Sequence, residues 1–231
     1  MLIPLAERIK YMVQRVVIES LVLLLAFLTG FSAFKKMQKY ERVCFLQLII
    51  WMIFYGISHI IILRQAMHHE VQNNQWLYNI STFIEIALLL MAAYFFYDDS
   101  KIKKLITVCL LIYMSIDLFT LYAQGWQKFN VIGFVIGTMF ITIWYAHVLY
   151  TVISKRTEQS GLAPMFWICT GILLFYVCNL PYFSFFNYLN TNHLQLSVFF
   201  YKIITQVLAN IRYLFLGLGF WLVMRKTLSS T

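Results

Sequence analysis

The chain is short of nearly everything a water-soluble globule needs. Only 12% of its 231 residues are charged, and acidic residues number nine against eighteen lysines and arginines. With 61% hydrophobic residues and a mean hydropathy of +0.75, a solvated domain is excluded. Three prolines and nine glycines leave no linker or low-complexity segment. The four cysteines (Cys44, Cys109, Cys169 and Cys178) all fall inside apolar runs and form neither a disulfide framework nor a zinc pair. The alternating pattern of a membrane β-barrel is absent. The first ten residues are mixed in character and suit the membrane surface. No A-x-A site closes the long apolar run behind them, so a cleaved signal peptide is not expected.

What is present is a series of seven apolar runs, at about 11–34, 43–64, 76–97, 103–124, 129–153, 164–188 and 199–224. A hydrocarbon core of about 30 Å needs about 20 apolar residues at 1.5 Å each, and every run supplies them. Short connections make neighbouring runs antiparallel. The expectation is an all-α polytopic membrane protein, with residues 1–231 forming a single seven-helix domain. Basic residues gather after runs one, three and five: Lys35, Lys36, Lys39 and Arg42; Lys101, Lys103 and Lys104; Lys155 and Arg156. Arg225 and Lys226 follow run seven, whereas the alternate connections hold only Arg64 and Lys128. By the positive-inside rule the N-terminus is outside, the C-terminus is cytoplasmic and the protein is integral to the plasma membrane. The net charge of +9 then serves orientation and anionic lipid, not nucleic acid.

The runs are not uniformly apolar. Run seven carries Lys202, Gln206 and Asn210 four residues apart, on one broad helix face, and Arg212 on another. Glu85, Asp117 and Arg212 sit deep, where each costs about 2.5–3.5 kcal/mol on an insertion scale, so they are expected to face the bundle interior. At 1.5 Å per residue, Glu85 lies about 13 Å below the outer end, Asp117 about 10 Å, Glu19 about 11 Å and Asn179 about 12 Å. Gln206 and Asn210 fall at similar depth, about 10 Å and 16 Å, with His59 and Lys202 shallower. Tyr78 and Thr82 share the Glu85 face. This layer in the outer half predicts a pocket holding an unknown small ligand. Its candidate lining is Glu19, His59, Tyr78, Thr82, Glu85, Asp117, Asn179, Lys202, Gln206 and Asn210.

Two roles compete for Glu85. As a pocket residue it is hydrated and free of a tight ion pair; as structural glue it is dry and locked to Arg212. Asn179-Leu180-Pro181 predicts a bend in run six. Gly133-x-x-x-Gly137 predicts close packing inside the bundle. The Asn79-Ile80-Ser81 sequon is discounted, because it lies at a span entrance.

The layout resembles that of seven-helix receptors, which implies a sensor that binds a small ligand and passes its signal to a cytoplasmic or membrane partner. The tail after Met224 is only seven residues long, so output is expected through that partner. Phe54-Tyr55 aligns with Phe175-Tyr176, and Lys35-Lys36 with Lys155-Arg156. Tyr78-x-Ile80-x-Thr82 aligns with Tyr201-x-Ile203-x-Thr205. The resulting 3+1+3 plan resembles the SWEET and PQ-loop carriers and implies the alternative of a small-solute transporter. The chain lacks their PQ dipeptide and has only Pro181 deep in a span. WLYNISTFIE at 76–85 and the aromatic, Asn-containing run six are similar to small seven-helix membrane proteins of bacteria. An intramembrane enzyme is the third reading. His59 and His147 belong to opposite halves of the membrane and no HExxH occurs, so no catalytic residue, metal or cofactor is expected.

Overall fold

A computed structural model describes residues 5–68, 74–154 and 163–226. Nothing but helix and short connections occurs among them: α1 (Leu5–Ala33), α2 (Lys39–His68), α3 (Gln75–Phe96), α4 (Ser100–Gln124), α5 (Val131–Ser154), α6 (Pro164–Ser184), α7 (Phe186–Asn192), α8 (Leu194–Phe200) and α9 (Gln206–Lys226). A π-helical turn, Tyr201–Thr205, joins α8 to α9. Seven helical segments are long and apolar enough to cross a membrane, the last running from α8 through α9. This is the architecture of an integral membrane protein.

Several boundaries differ from expectation. α1 starts at Leu5, so most of the opening residues extend the first helix. α6 ends at Ser184 where run six was expected to reach 188, and two seven-residue helices follow. These form a small helical cap, with α8 also opening the last span-length segment. Lys155 and Arg156, and the side chains of Arg8, Lys10, Arg15 and Lys202, lie outside what is described.

The helices form a ring. α1 packs on α9, α9 on α6, α6 on α5, α5 on α3 and α4, and α3 on α2. The two triplets of the 3+1+3 plan are not laid out alike. α6 packs along both α5 and α9, whereas α1 makes its main contact with α9 and only a slight one with α2. α4 is peripheral. Its buried residues (Ile106, Tyr113, Asp117 and Leu121) form one narrow stripe at spacings of seven and four. Leu105, Val108, Leu111, Ile112, Leu118 and Phe119 face outward, as a lipid-exposed helix requires. Hydroxyls that would otherwise meet lipid bond their own helix: Thr29, Ser32, Thr107 and Thr151 each donate to the carbonyl four residues back.

Below the middle of the bundle the interior is apolar and tightly closed. Leu48, Leu89, Leu90, Ile141, Ile172, Leu216 and Phe220 are all essentially inaccessible. α4 and α5 meet through Gly133, where an added Cβ would stand 1.8 Å from Asp117 Oδ1 and 2.5 Å from Asn130 Nδ2. Gly133 and Gly137 therefore serve packing within the bundle. Overpacked cores lose about 1–3 kcal/mol. Gly133→Ala should lower thermal stability in detergent by about that amount, and Asp117→Ala should recover most of it by vacating the space. Equal unfolding temperatures for wild type and Gly133→Ala would contradict this packing.

Candidate ligand cavity and its ionic floor

A cavity of about 540 Å³ opens within the bundle between α1, α2, α3, α6 and the α8–α9 segment. It occupies the half bounded by the α2–α3, α4–α5 and α6–α9 connections, away from Lys35, Lys36, Lys101, Lys103 and Lys104. α2 contributes Trp51, Phe54, Tyr55, Ser58 and His59, a stripe at helical spacing. α3 contributes Tyr78, Ser81, Thr82 and Glu85 on one face. Glu19 projects from α1, and Thr205, Gln206 and Ala209 from the last span. Of the expected residues, Glu19, His59, Tyr78, Thr82, Glu85 and Gln206 thus share one cavity.

The floor is ionic. Arg212 Nη1 donates to Glu85 Oε1, and Gln47 Nε2 donates to the same oxygen at 3.1 Å. Arg212 is 1% exposed and Glu85 6%. The guanidinium carbon lies 4.1 Å from the Phe175 ring centre and 5.7 Å from that of Trp51, and Nη2 donates to Tyr213 Oη at 3.4 Å, while Nε has no hydrogen-bond partner. Gly171 of α6 permits the approach, since a Cβ there would stand 2.7 Å from Phe215 Cβ and 3.2 Å from the Arg212 carbonyl. Of the two roles posed for Glu85, the geometry is that of structural glue, and the hydrated, unpaired carboxylate of the pocket role is not found. Glu85 is locked to Arg212 and also reaches the cavity, with Arg212 behind it.

The Arg212 face corrects the sequence reading. The inward stripe of α9 runs Ala209, Arg212, Tyr213, Leu216, Phe220, Val223. Gln206 and Asn210 both lie in the regular α9, after the π-helical turn, and Asn210 falls further from the inward stripe than Gln206 does. Asn210 accordingly does not reach the cavity, and its Nδ2 donates to the Gln206 carbonyl at 3.1 Å.

Asn179 and Asp117 also lie elsewhere. Asn179 is fully buried behind the wall; its Nδ2 donates to the Phe175 carbonyl at 2.7 Å and its Oδ1 accepts from Thr205 Oγ1 at 2.8 Å. It joins the Pro181 region of α6 to the π-helical turn. Asp117 belongs to a separate cluster between α4 and α5, where Asn130 Nδ2 donates to Asp117 Oδ1 at 2.9 Å. That cluster continues outward. Asn79 Nδ2 donates to the Lys128 carbonyl at 2.8 Å, and Asn79 Oδ1 accepts from the Asn130 amide at 2.9 Å. Asn79, Asn130 and Gln75, which accepts from the Phe129 amide at 2.7 Å, staple the α4–α5 connection over the bundle end. Sequence reasoning missed this staple, and the clue was a pair of asparagines, Asn79 and Asn130, near the starts of α3 and α5 at the same end of the bundle. His59 and His147 stand in opposite halves, His59 Nδ1 donating to the Tyr55 carbonyl at 2.9 Å and His147 Nδ1 lying 2.5 Å from Tyr97 Oη.

The chain matches no family model, no curated protein and no solved structure.

Removing one member of a buried ion pair costs about 3–5 kcal/mol, because the other charge is left uncompensated. Glu85→Gln should therefore destabilise the detergent-solubilised protein by about that much. Glu85→Gln with Arg212→Gln should unfold at a temperature closer to wild type than either single variant. Equal stability of all four proteins by thermal unfolding would show that the pair is not formed.

Proposed function

We propose that the protein is a receptor-like membrane sensor that binds a small ligand in the cavity from the outside and reports through a partner. The observation that carries this reading is the cavity itself. At about 540 Å³ it has the size of a small-molecule site, it is walled mainly by aromatic rings, and a few polar groups converge on it. Its position opposite the lysine-rich connections gives it an outward mouth by the positive-inside rule. A carrier would need the other half of the bundle to open as well. That half is filled by closely packed apolar side chains, which favours binding over transport.

Cysteine labelling in intact cells tests both orientation and access, measured against the parent with its native cysteines. Lys128→Cys should react with a membrane-impermeant thiol reagent and Ser100→Cys should not; both positions are exposed in the fold. Thr82→Cys should react more slowly than Lys128→Cys, and a compound that stabilises the wild-type protein should protect it. Labelling at Ser100→Cys but not at Lys128→Cys would turn the cavity to the cytoplasm. An inert Thr82→Cys would remove the outward pocket.

A further inference from the structure

Resting on that pocket reading, we infer that the cavity takes a neutral, planar aromatic molecule carrying a hydroxyl or carbonyl on one edge. Charge excludes the alternatives. Among the described lining residues there is no lysine or arginine. Glu85 is already neutralised by Arg212, and Glu19 is itself engaged. An anionic ligand would find no lysine or arginine among the described lining residues to balance it, and a cationic one would have to displace an existing partner. An unpaired charge in such a site is costly, so a neutral molecule is admitted in preference to its charged analogues.

Shape and chemistry follow from two unlike walls. On one side Phe129, Phe134, Phe183 and Phe186 form a continuous ring cluster, with centroids 4.2 Å apart for Phe134–Phe183 and 5.3 Å apart for Phe129–Phe183. Phe183 and Phe186 stack at 5.7 Å. Such faces favour an offset-stacked or edge-on aromatic guest. On the other side stands a hydroxyl wall. Ser58 Oγ and Tyr78 Oη lie 3.1 Å apart and share one hydrogen bond. Two hydroxyls sharing one bond leave one hydroxyl hydrogen and several lone pairs unused. A guest lying on the phenylalanine wall can spend a hydroxyl or carbonyl edge on that residual capacity.

The test uses one bicyclic body in four forms: naphthol, naphthalene, naphthoate and naphthylmethylamine. Each is titrated by equilibrium dialysis into the full chain in phosphatidylcholine nanodiscs, with empty nanodiscs correcting for partition into lipid. Naphthol should bind saturably, about tenfold or more tighter than either charged analogue. Tyr78→Phe should weaken naphthol while leaving naphthalene unchanged, and Phe186→Ala should weaken both. Thr82→Trp, which fills the cavity, should abolish saturable binding. Because Thr82→Trp can also fail to fold, the Tyr78→Phe comparison decides independently. Naphthoate or the amine binding as tightly as naphthol, with Thr82→Trp sensitivity, would overturn the neutral-ligand inference and leave the pocket standing. Naphthol bound equally by wild type, Tyr78→Phe and Phe186→Ala overturns the assignment of the walls. Absence of saturable binding by any of the four overturns the inference, while protection of Thr82→Cys by another compound would still uphold the pocket.

Discussion

A charge inside a bilayer has few stable arrangements, and the Glu85–Arg212 pair determines how this bundle is organised. Neither group can face lipid, and neither can be left alone in the interior. The pair therefore fixes the rotation of two helices about their axes. α3 must turn Glu85 inward, which carries Ser81, Thr82 and Tyr78 onto the same face one and two turns above. α9 must turn Arg212 inward, which places Ala209 and Thr205 above it and Leu216 and Phe220 below. The cavity is what remains above the pair once those faces are set, and the apolar plug is what fills the space beneath.

The neighbours supply what the pair lacks. Gln47, one turn below Trp51 on α2, donates to Glu85, and Phe175 offers its ring face to the guanidinium. α6 can bring Phe175 so close because Gly171, one turn earlier, admits α9 without a side chain between them. One ion pair thus recruits residues from α2, α3, α6 and α9, the helices that enclose most of the cavity. Asp117 shows the contrast. It is buried on a peripheral helix, bonded by Asn130 at Oδ1 alone and accommodated by Gly133, and it shapes the α4–α5 contact without touching the cavity.

Much of this was readable from residue order, for physical reasons. Apolar runs of span length admit few structures in a membrane, so the seven helices followed directly. Glu85 declared its direction because Tyr78 and Thr82 repeat at helical spacing beside it. The depth of the polar layer followed from a fixed rise per residue. What failed was phase. A face centred on Lys202, Gln206 and Asn210 leaves Arg212 outside, whereas the inward stripe of α9 passes between Gln206 and Arg212 and leaves Asn210 aside, and a π-helical turn at Tyr201–Thr205 precedes it. No composition signal marks such a turn. The same limit applied after Pro181, where a single apolar run hid the break into α7 and α8. Tertiary contacts, not local propensity, specify both. Asn79 was read as a sequon to be discounted, whereas its amide is consumed by loop carbonyls and cannot be judged without the α4–α5 connection in place.

Under the proposed sensor reading, the irregular segments lie where a movable wall is needed. A ligand shifts a conformational equilibrium only through contacts that differ between states, so some wall of its site must be able to adopt a second arrangement. The α2–α3 wall is fixed from below by the ion pair and Gln47. The opposite wall is built from the Pro181 region, the cap helices and the π-helical turn, where regular backbone bonding is already interrupted. Thr205 and Asn179 tie the turn to α6 through a single side-chain hydrogen bond, and Tyr182 and Ser197 meet at 3.4 Å just above. These bonds make that wall one mechanical unit. It rests directly on α9, whose Arg212 is held to α3. The Glu85–Arg212 pair therefore links that wall, through α9, to α3 and to the closed half of the bundle.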